Sequence, residues 1–348
     1  ALGGADKADA GGVDEIARAV EDLHVVPHPS LRGYCQSLLA LPTPSPMCTA
    51  FCWSGAMKQA VADATRGARF DVIHVEHLRA AHFPPVNTPI PIVFDSVDCL
   101  TGLFRQMAKS RKSPLARILM AEEAWKLRRY EPRALRRFDR TIVTSESERE
   151  ELLELDGALP VQVVPNGVDS DYFRPQDIER HPRRVVFSGK MSYRPNAQAA
   201  MWFAEEVFPH LRKKWSDAEF VIVGSGPPAE IKKLGERPGI TVTGYVDDIR
   251  PHLASSSVAV VPMRIAVGIQ NKVLEAMAMG LPVVPCGSAA RAFGTDCPGI
   301  IVADSAEDTL RSVSKLIDNA GAAREIGARG RAAVEERFSW QRSVADLE

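Results

Sequence analysis

Lys272 and Glu275 stand three residues apart in the stretch Gly268 to Pro285, GIQNKVLEAMAMGLPVVP. On a helix that spacing brings a cation and a carboxylate onto one face. An ammonium group in a first helical turn, beside unpaired backbone N–H groups and the positive end of the helix dipole, suits a phosphate. A carboxylate one turn deeper can accept hydrogen bonds from two vicinal hydroxyls, as on a ribose. The same spacing also describes a solvated pair on any amphipathic helix, so the two residues alone do not decide between a nucleotide site and a surface.

The neighbouring residues define the element that would hold them. Gln270 and Asn271 precede the good helix formers Lys272 to Met279, and Asn is a competent N-cap. Gly280 falls where a left-handed residue ends a helix, and Pro282 forbids continuation. Val273, Leu274 and Met277 share an apolar face. Val283 and Val284 read as a buried strand.

Further candidates sit at expected strand ends. VVFSGKMSYRPN, residues 185–196, is a strand running into Ser188 and Gly189, with Lys190 and Arg194 placed either to meet a diphosphate or to be solvated. FVIVGSGP, residues 220–227, turns through Gly224 and Gly226, which lets backbone approach a ligand or serves only as a turn. Asp248, closing TGYVDD, reads as an N-cap. VVPNGVDSDYF, residues 163–173, contains the tight turn Asn166-Gly167. DVIHVEH, residues 71–77, brings His74 and Glu76 to one strand face with His77 just beyond. Glu76, His77 and Asn166 are therefore candidates for touching an acceptor, with a packed structural histidine the plainer alternative.

Composition excludes several classes. Lys plus Arg number 43 against 44 Asp plus Glu, a net charge of −1, so no global field favours nucleic acid. No apolar run approaches the roughly 18 residues that span a membrane, and no signal-peptide pattern is expected. The six cysteines are scattered without a metal-ligand set, so reduced thiols, no metal and a cytoplasmic location are the expectation. Residues 105–140 carry 12 Lys/Arg against 4 Asp/Glu. That excess describes a solvated basic helix or a peripheral contact with an anionic membrane, such as an inner membrane face.

Strand and helix patterns alternate along the chain, most regularly after residue 184, which implies parallel doubly wound sheets. Residues 1–170 are expected as an N-terminal domain and 171–183, polar with Pro175 and Pro182, as a linker. Residues 184–335 are expected as a C-terminal domain and 336–348 as a closing helix. One long helical region is expected over Leu100 to Arg137, and a last strand over Gly299 to Val302.

Taken in order, VVPNGVDSDYF, the SGKM loop, VIVGSGP, TGYVDD, VVPMR, NKVLEAMAMGLPVV and the terminal RFSWQRSVADLE resemble the retaining glycosyltransferases of family 4, with the GT-B fold. The GIQNKVLEAMA form is similar to enzymes of exopolysaccharide and cell-envelope sugar transfer. The resemblance implies two Rossmann-like domains facing a cleft, an acceptor on the N-terminal one and a nucleotide-diphosphate sugar on the C-terminal one. By position it gives Glu275 the ribose, and Lys190 and Lys272 the diphosphate, with Arg194, Gln270 and Asn271 as further donor contacts and no metal. Two departures stand out. Val267 occupies the place where the family commonly has a sugar-binding Glu. Gly3-Gly4 and Gly11-Gly12 follow no apolar strand, so the first βα unit is expected to be missing. A retaining transfer to a glycan or lipid-linked acceptor is the function implied. A non-catalytic nucleotide-sugar-binding protein and a nucleotide-sugar 2-epimerase are the alternatives.

Overall fold

The computed structural model describes residues 2–3, 10–67, 70–110, 113–294 and 296–347. The chain forms two compact units, Ala1–Val143 with Glu148–Val163, and Thr144–Ser147 with Val164–Glu348.

The first unit opens with two short parallel strands, β1 (Leu2–Gly3) and β2 (Val26–Pro27), separated by the helix Ala10–Ala19. Gly3 thus ends a strand of two residues, Gly11 and Gly12 fall inside the helix, and Gly4 lies outside the described residues. A four-stranded parallel sheet follows, in the order β3 (Ile73–Glu76), β4 (Ile92–Asp95), β5 (Arg140–Val143) and β6 (Val161–Val163). Its core gathers Leu78, Phe94, Leu127, Leu135 and Leu152, all essentially without exposure.

The expected helix over Leu100 to Arg137 is two helices, Leu100–Ser110 and Pro114–Leu135. Pro114 has no N–H to donate and takes the first helical turn, where none is needed. Ser113 caps that turn by accepting from the Ala116 N–H. Arg111 and Lys112 lie outside the described residues. The second helix ties down three others. Its buried Glu123 accepts from the Met47 and Cys48 N–H groups at the start of the helix Met47–Phe51. Its buried Glu131 accepts from the N–H groups of Leu100 and Thr101 and from the Thr101 hydroxyl. Lys126 Nζ donates to the Ala40 and Leu41 carbonyls that end the helix Ser30–Ala40. Carboxylates meet helix starts and an ammonium meets a helix end, as orphan backbone groups and helix dipoles require.

The second unit holds a five-stranded parallel sheet of β7 (Arg184–Ser188), β8 (Glu219–Val223), β9 (Ile240–Val242), β10 (Val258–Val261) and β11 (Val283–Pro285). The strand order is β11-β10-β7-β8-β9. Apart from strand-end residues such as the leading Arg184 and Glu219, and the exposed Thr241 of the edge strand β9, the strands are apolar runs, because helices cover both faces of a doubly wound sheet. The chain builds outward from β7 through β8 to β9, then returns to add β10 and β11 on the other side. The order therefore reverses between β7 and β10, and the crevice outside their carboxyl ends is where such sheets bind ligands.

Two of the expected segments look different in the structure. Residues 171–183 do not stand between the units: Arg180 donates to the Met279 and Gly280 carbonyls, and Phe173 O accepts from Arg331, all within the second unit. The chain passes between the units after Val143, after Ser147 and after Val163. Gly299 to Val302 is too irregular to count as a full strand, beside Pro298 and a left-handed Gly299, yet it runs parallel to β11. Val283 N–H donates to Gly299 O, Ile301 N–H to Val283 O and Ala303 N–H to Pro285 O, each at 2.9 Å, with a bridge between Val283 and Ile300. The helix Ala320–Arg337, not singled out from the sequence, precedes the closing helix Trp340–Leu347.

Candidate functional site

The helix Asn271–Ala278 follows β10 and precedes β11, so its start opens at the reversal point of the sheet. Val273, Leu274, Ala276 and Met277 are fully buried, and Gly280 at φ +69° ends the helix. Asn271 is not the cap. Gln270 takes that position without capping through its side chain, and its Nε2 donates to Val267 O at 2.9 Å instead. Asn271, in the first turn, accepts from Asn166 Nδ2 at 3.2 Å, which ties the Asn-Gly turn to the helix start. That turn is itself clamped: Ser343 of the closing helix donates to Pro165 O at 2.6 Å, and a Cβ on Gly167 would lie 2.6 Å from Trp340 N.

Lys272 runs into the crevice between β7 and β10. Its Nζ lies 3.4 Å from Met263 Sδ, just past β10, and 3.5 Å from Gln270 Oε1. Its Cε would lie 3.1 Å from a Cβ placed on Gly189, just past β7. Burial pulls its ammonium down to about 8, partly offset by Glu275. Glu275, one turn deeper, is pushed up by burial and held down by Lys272. Among the described residues the Glu275 carboxylate makes no hydrogen bond or ion pair. The pair is therefore not the solvated surface pair that spacing alone allowed. It is a largely buried cation and a largely buried carboxylate, each without a full complement of partners.

The glycine turns bring backbone to the same place. A Cβ on Gly224 would lie 1.9 Å from Gly189 O, so the turns after β7 and β8 touch in a way only glycine permits. Gly226 approaches Ser192 of the loop after β7. Asn196 Nδ2 donates to Lys190 O at 3.0 Å and fixes that loop. The side chains of Lys190 and Arg194 are exposed, Arg194 at the first position of the helix Arg194–Trp202. Gly189, Gly224, Gly226, Gln270, Asn271, Lys272, Glu275 and Asn166 thus belong to one unit, grouped around the ends of β7, β8 and β10. Val267, in the place of the common sugar-binding Glu, offers only its carbonyl, to Gln270.

Glu76 and His77 belong to the first unit, at the carboxyl end of β3. They line a cavity of about 530 Å³ together with His74, Arg79, Met57 and Phe83. His77 has φ 71° and donates its N–H to Asp95 O at 2.8 Å. Burial and the nearby Arg79 hold its imidazole down to about 4, so it is neutral at neutral pH. His74 Nε2 stands 3.8 Å from Asp95 and is raised by that carboxylate. The turn after β4 was missed by sequence reasoning. Val97 there has φ 57°, an outlier for a β-branched side chain, and burial pushes Asp98 up to about 6. The DSVD sequence gave no motif, and only the backbone strain marks the place. No group of three or more His, Cys, Asp or Glu among the described residues could hold a metal ion.

Two parallel-sheet units of this kind, with a crevice at the reversal point of the second, are the GT-B architecture. Among solved structures, the chain superposes on Anabaena HepE, determined with UDP and glucose, at TM-score 0.68 and 14% identity, over 99% of this chain and 90% of the other. It superposes on sucrose-phosphate synthase from Thermosynechococcus elongatus at TM-score 0.66 and 17% identity, over 83% and 75%. A family model described as Glycosyltransferase Family 4 matches residues 13–172, and one described as Glycosyl transferases group 1 matches residues 182–319. The GDP-mannose-dependent alpha-(1-6)-phosphatidylinositol monomannoside mannosyltransferase of Mycobacterium tuberculosis is 26% identical over 335 residues, 85% of this chain and 86% of that one. The MMP alpha-(1->4)-mannosyltransferase of Mycolicibacterium hassiacum is 27% identical over 228 residues, 61% and 53%. The chain belongs to the family 4 glycosyltransferases.

Proposed function

We propose that the protein transfers a sugar, with retention, from a nucleotide-diphosphate donor to a hydroxyl of a lipid-linked or glycan acceptor in cell-envelope synthesis. The observation that carries this reading is Lys272, half-buried at the reversal point of the sheet against Gly189, with Glu275 one turn deeper. In this reading Glu275 accepts from the ribose hydroxyls. Lys272, Lys190 and the helix start neutralise the diphosphate as it leaves, an electrostatic stabilisation of developing charge that needs no metal. The departing phosphate oxygen takes the acceptor proton, so no protein base is required. GDP-mannose is the first donor to try, since two relatives are named as mannosyltransferases and one as GDP-mannose-dependent. The acceptor candidates Glu76 and His77 fit a polyol headgroup, with the apolar side of their cavity left for its stem. The enzyme works in the cytoplasm, peripherally on the inner membrane face. No helix among the described residues is long and apolar enough to cross a membrane.

The test is incubation with a donor panel and a lipid-linked polyol acceptor. Acceptor-dependent nucleotide release, with the α-anomer formed from an α-linked donor, is expected. Isomerised donor without release would point to an epimerase, and binding without turnover to a non-catalytic protein. Glu275→Ala is expected to lower transfer efficiency at least about tenfold, equivalent to about 1.4 kcal/mol. Unchanged donor affinity and rate would remove the ribose role.

A further inference from the structure

The helix Pro114–Leu135 buries one side through Glu123, Lys126, Leu127 and Glu131. Its other side is exposed over the first four turns at Leu115, Ile118 and Trp125. At 100° per residue, Ile118, Ala121 and Trp125 fall within an arc of about 60°. Leu115, Ile118 and Trp125 are 68%, 63% and 52% exposed. Arg117 and Arg128 border this stripe on one side and Arg129 on the other, all exposed. The Arg129 guanidinium lies 3.8 Å from the centre of the Trp125 ring. The one carboxylate near the stripe, Glu122, is held at 2.9 Å by Lys126. The result is an apolar stripe about 15 Å long from Leu115 to Trp125, edged by cations.

A second exposed strip lies on the helix whose end Lys126 holds. Leu31, Tyr34 and Leu38 recur at helical spacing on Ser30–Ala40 and are 76%, 62% and 65% exposed. Arg32 is the only charge on that helix. The two helices are joined where Ala40 and Leu41 accept from Lys126, the residue after Trp125.

We infer that this face, centred on Trp125 and extended by Leu38, docks on an anionic phospholipid bilayer. Charge complementarity selects the occupant. A second copy paired through this face would set Arg117, Arg128 and Arg129 against their own copies, while the carboxylate beside them among the described residues, Glu122, is already held by Lys126. A bilayer interface takes the aromatic and aliphatic groups into its headgroup layer while the guanidinium groups reach lipid phosphates. The inference narrows the basic excess of residues 105–140 to one side of one helix. It extends the reading of the enzyme as working on a membrane face, but it is tested without donor or acceptor, so the two readings fail separately.

The experiment is sedimentation of the full chain with phosphatidylcholine vesicles, with and without about 30 mol % phosphatidylglycerol. Binding to the anionic vesicles alone, falling as salt rises, is expected. R128E/R129E is expected to weaken that binding at least about tenfold, since each cation at such a surface contributes roughly that order. K232E/K233E, the same charge change in the second unit, should bind as the parent does. Thermal melts confirm that each variant folds. As an independent readout, the blue shift of tryptophan emission on vesicle addition should be lost in Trp125→Phe, which retains the shape of the face. The inference is overturned if the parent does not bind, if neutral vesicles bind it equally, or if R128E/R129E binds as the parent does. It is also overturned if Trp125→Ala abolishes self-association and leaves vesicle binding intact.

Discussion

Lys272 and Asp98 carry the same physical signature: a charge taken from water without a sufficient partner. An unfolded lysine holds its proton to about 10.4, the folded Lys272 only to about 8. Between those values the unfolded chain binds more protons, so stability rises with pH through that window, and below it the buried ammonium destabilises the fold. Lys272→Met is therefore expected to raise stability at neutral pH, by on the order of 2 kcal/mol, while weakening nucleoside-diphosphate binding at least about tenfold. A lower melting temperature for that variant would contradict this account. A bound diphosphate restores the charge, so titration calorimetry in two buffers should show proton uptake on binding above about pH 8. Asp98 works with the opposite sign. Its carboxyl is at about 6 against 3.8 unfolded, so the folded chain binds more protons between these values and loses stability as pH rises through them. Asp98→Asn should stabilise the protein at pH 7 and do nothing near pH 3.5, where the native residue is already neutral. Equal gains at both pH values would remove burial of charge as the cause.

Glu131 shows how far one helix governs the first unit. It is fully buried and ends the orphan N–H groups of Leu100 and Thr101. Burial raises its carboxyl, and the Thr101 contacts pull the other way. Glu131→Ala leaves two N–H groups and a hydroxyl buried without acceptors, and a loss of at least about 3 kcal/mol is expected by denaturant titration. Glu131→Gln keeps an acceptor and should lose less. Equal losses would mean that packing rather than capping sets the effect. Lys126, by contrast, matters to the Ser30–Ala40 helix, whose end it holds, and so to one edge of the proposed bilayer face.

The two units have separate hydrophobic cores, one around Phe94 and Leu127, the other around Phe187 and Phe220. Two calorimetric transitions are expected. A nucleoside diphosphate at about 100 times its Kd should add about 2.7 kcal/mol to the second unit's transition alone. If both transitions moved together, the units would be one cooperative body.

What the residues determined by themselves was local. Apolar runs ending in glycine turns gave β7 and β8, because a strand buried on both faces needs such a run and a tight exit needs glycine, while β10 was legible from its apolar run alone. The stop at Gly280 and Pro282 was legible for the same kind of reason. The spacing of Lys272 and Glu275 placed them on one helix face but left open whether that face met water. Only the tertiary structure decided it: the order of β10 beside β7 sets the helix start over Gly189 and leaves both charges only partly in contact with solvent. The Asn271 cap failed because Asn166, 105 residues away in sequence, takes its side chain. Asp98 gave no sequence signal, since its burial and the strained Val97 before it depend on strands that meet only in the fold. Short-range geometry is written in neighbouring residues; dielectric surroundings and long-range partners arise only when the sheets assemble.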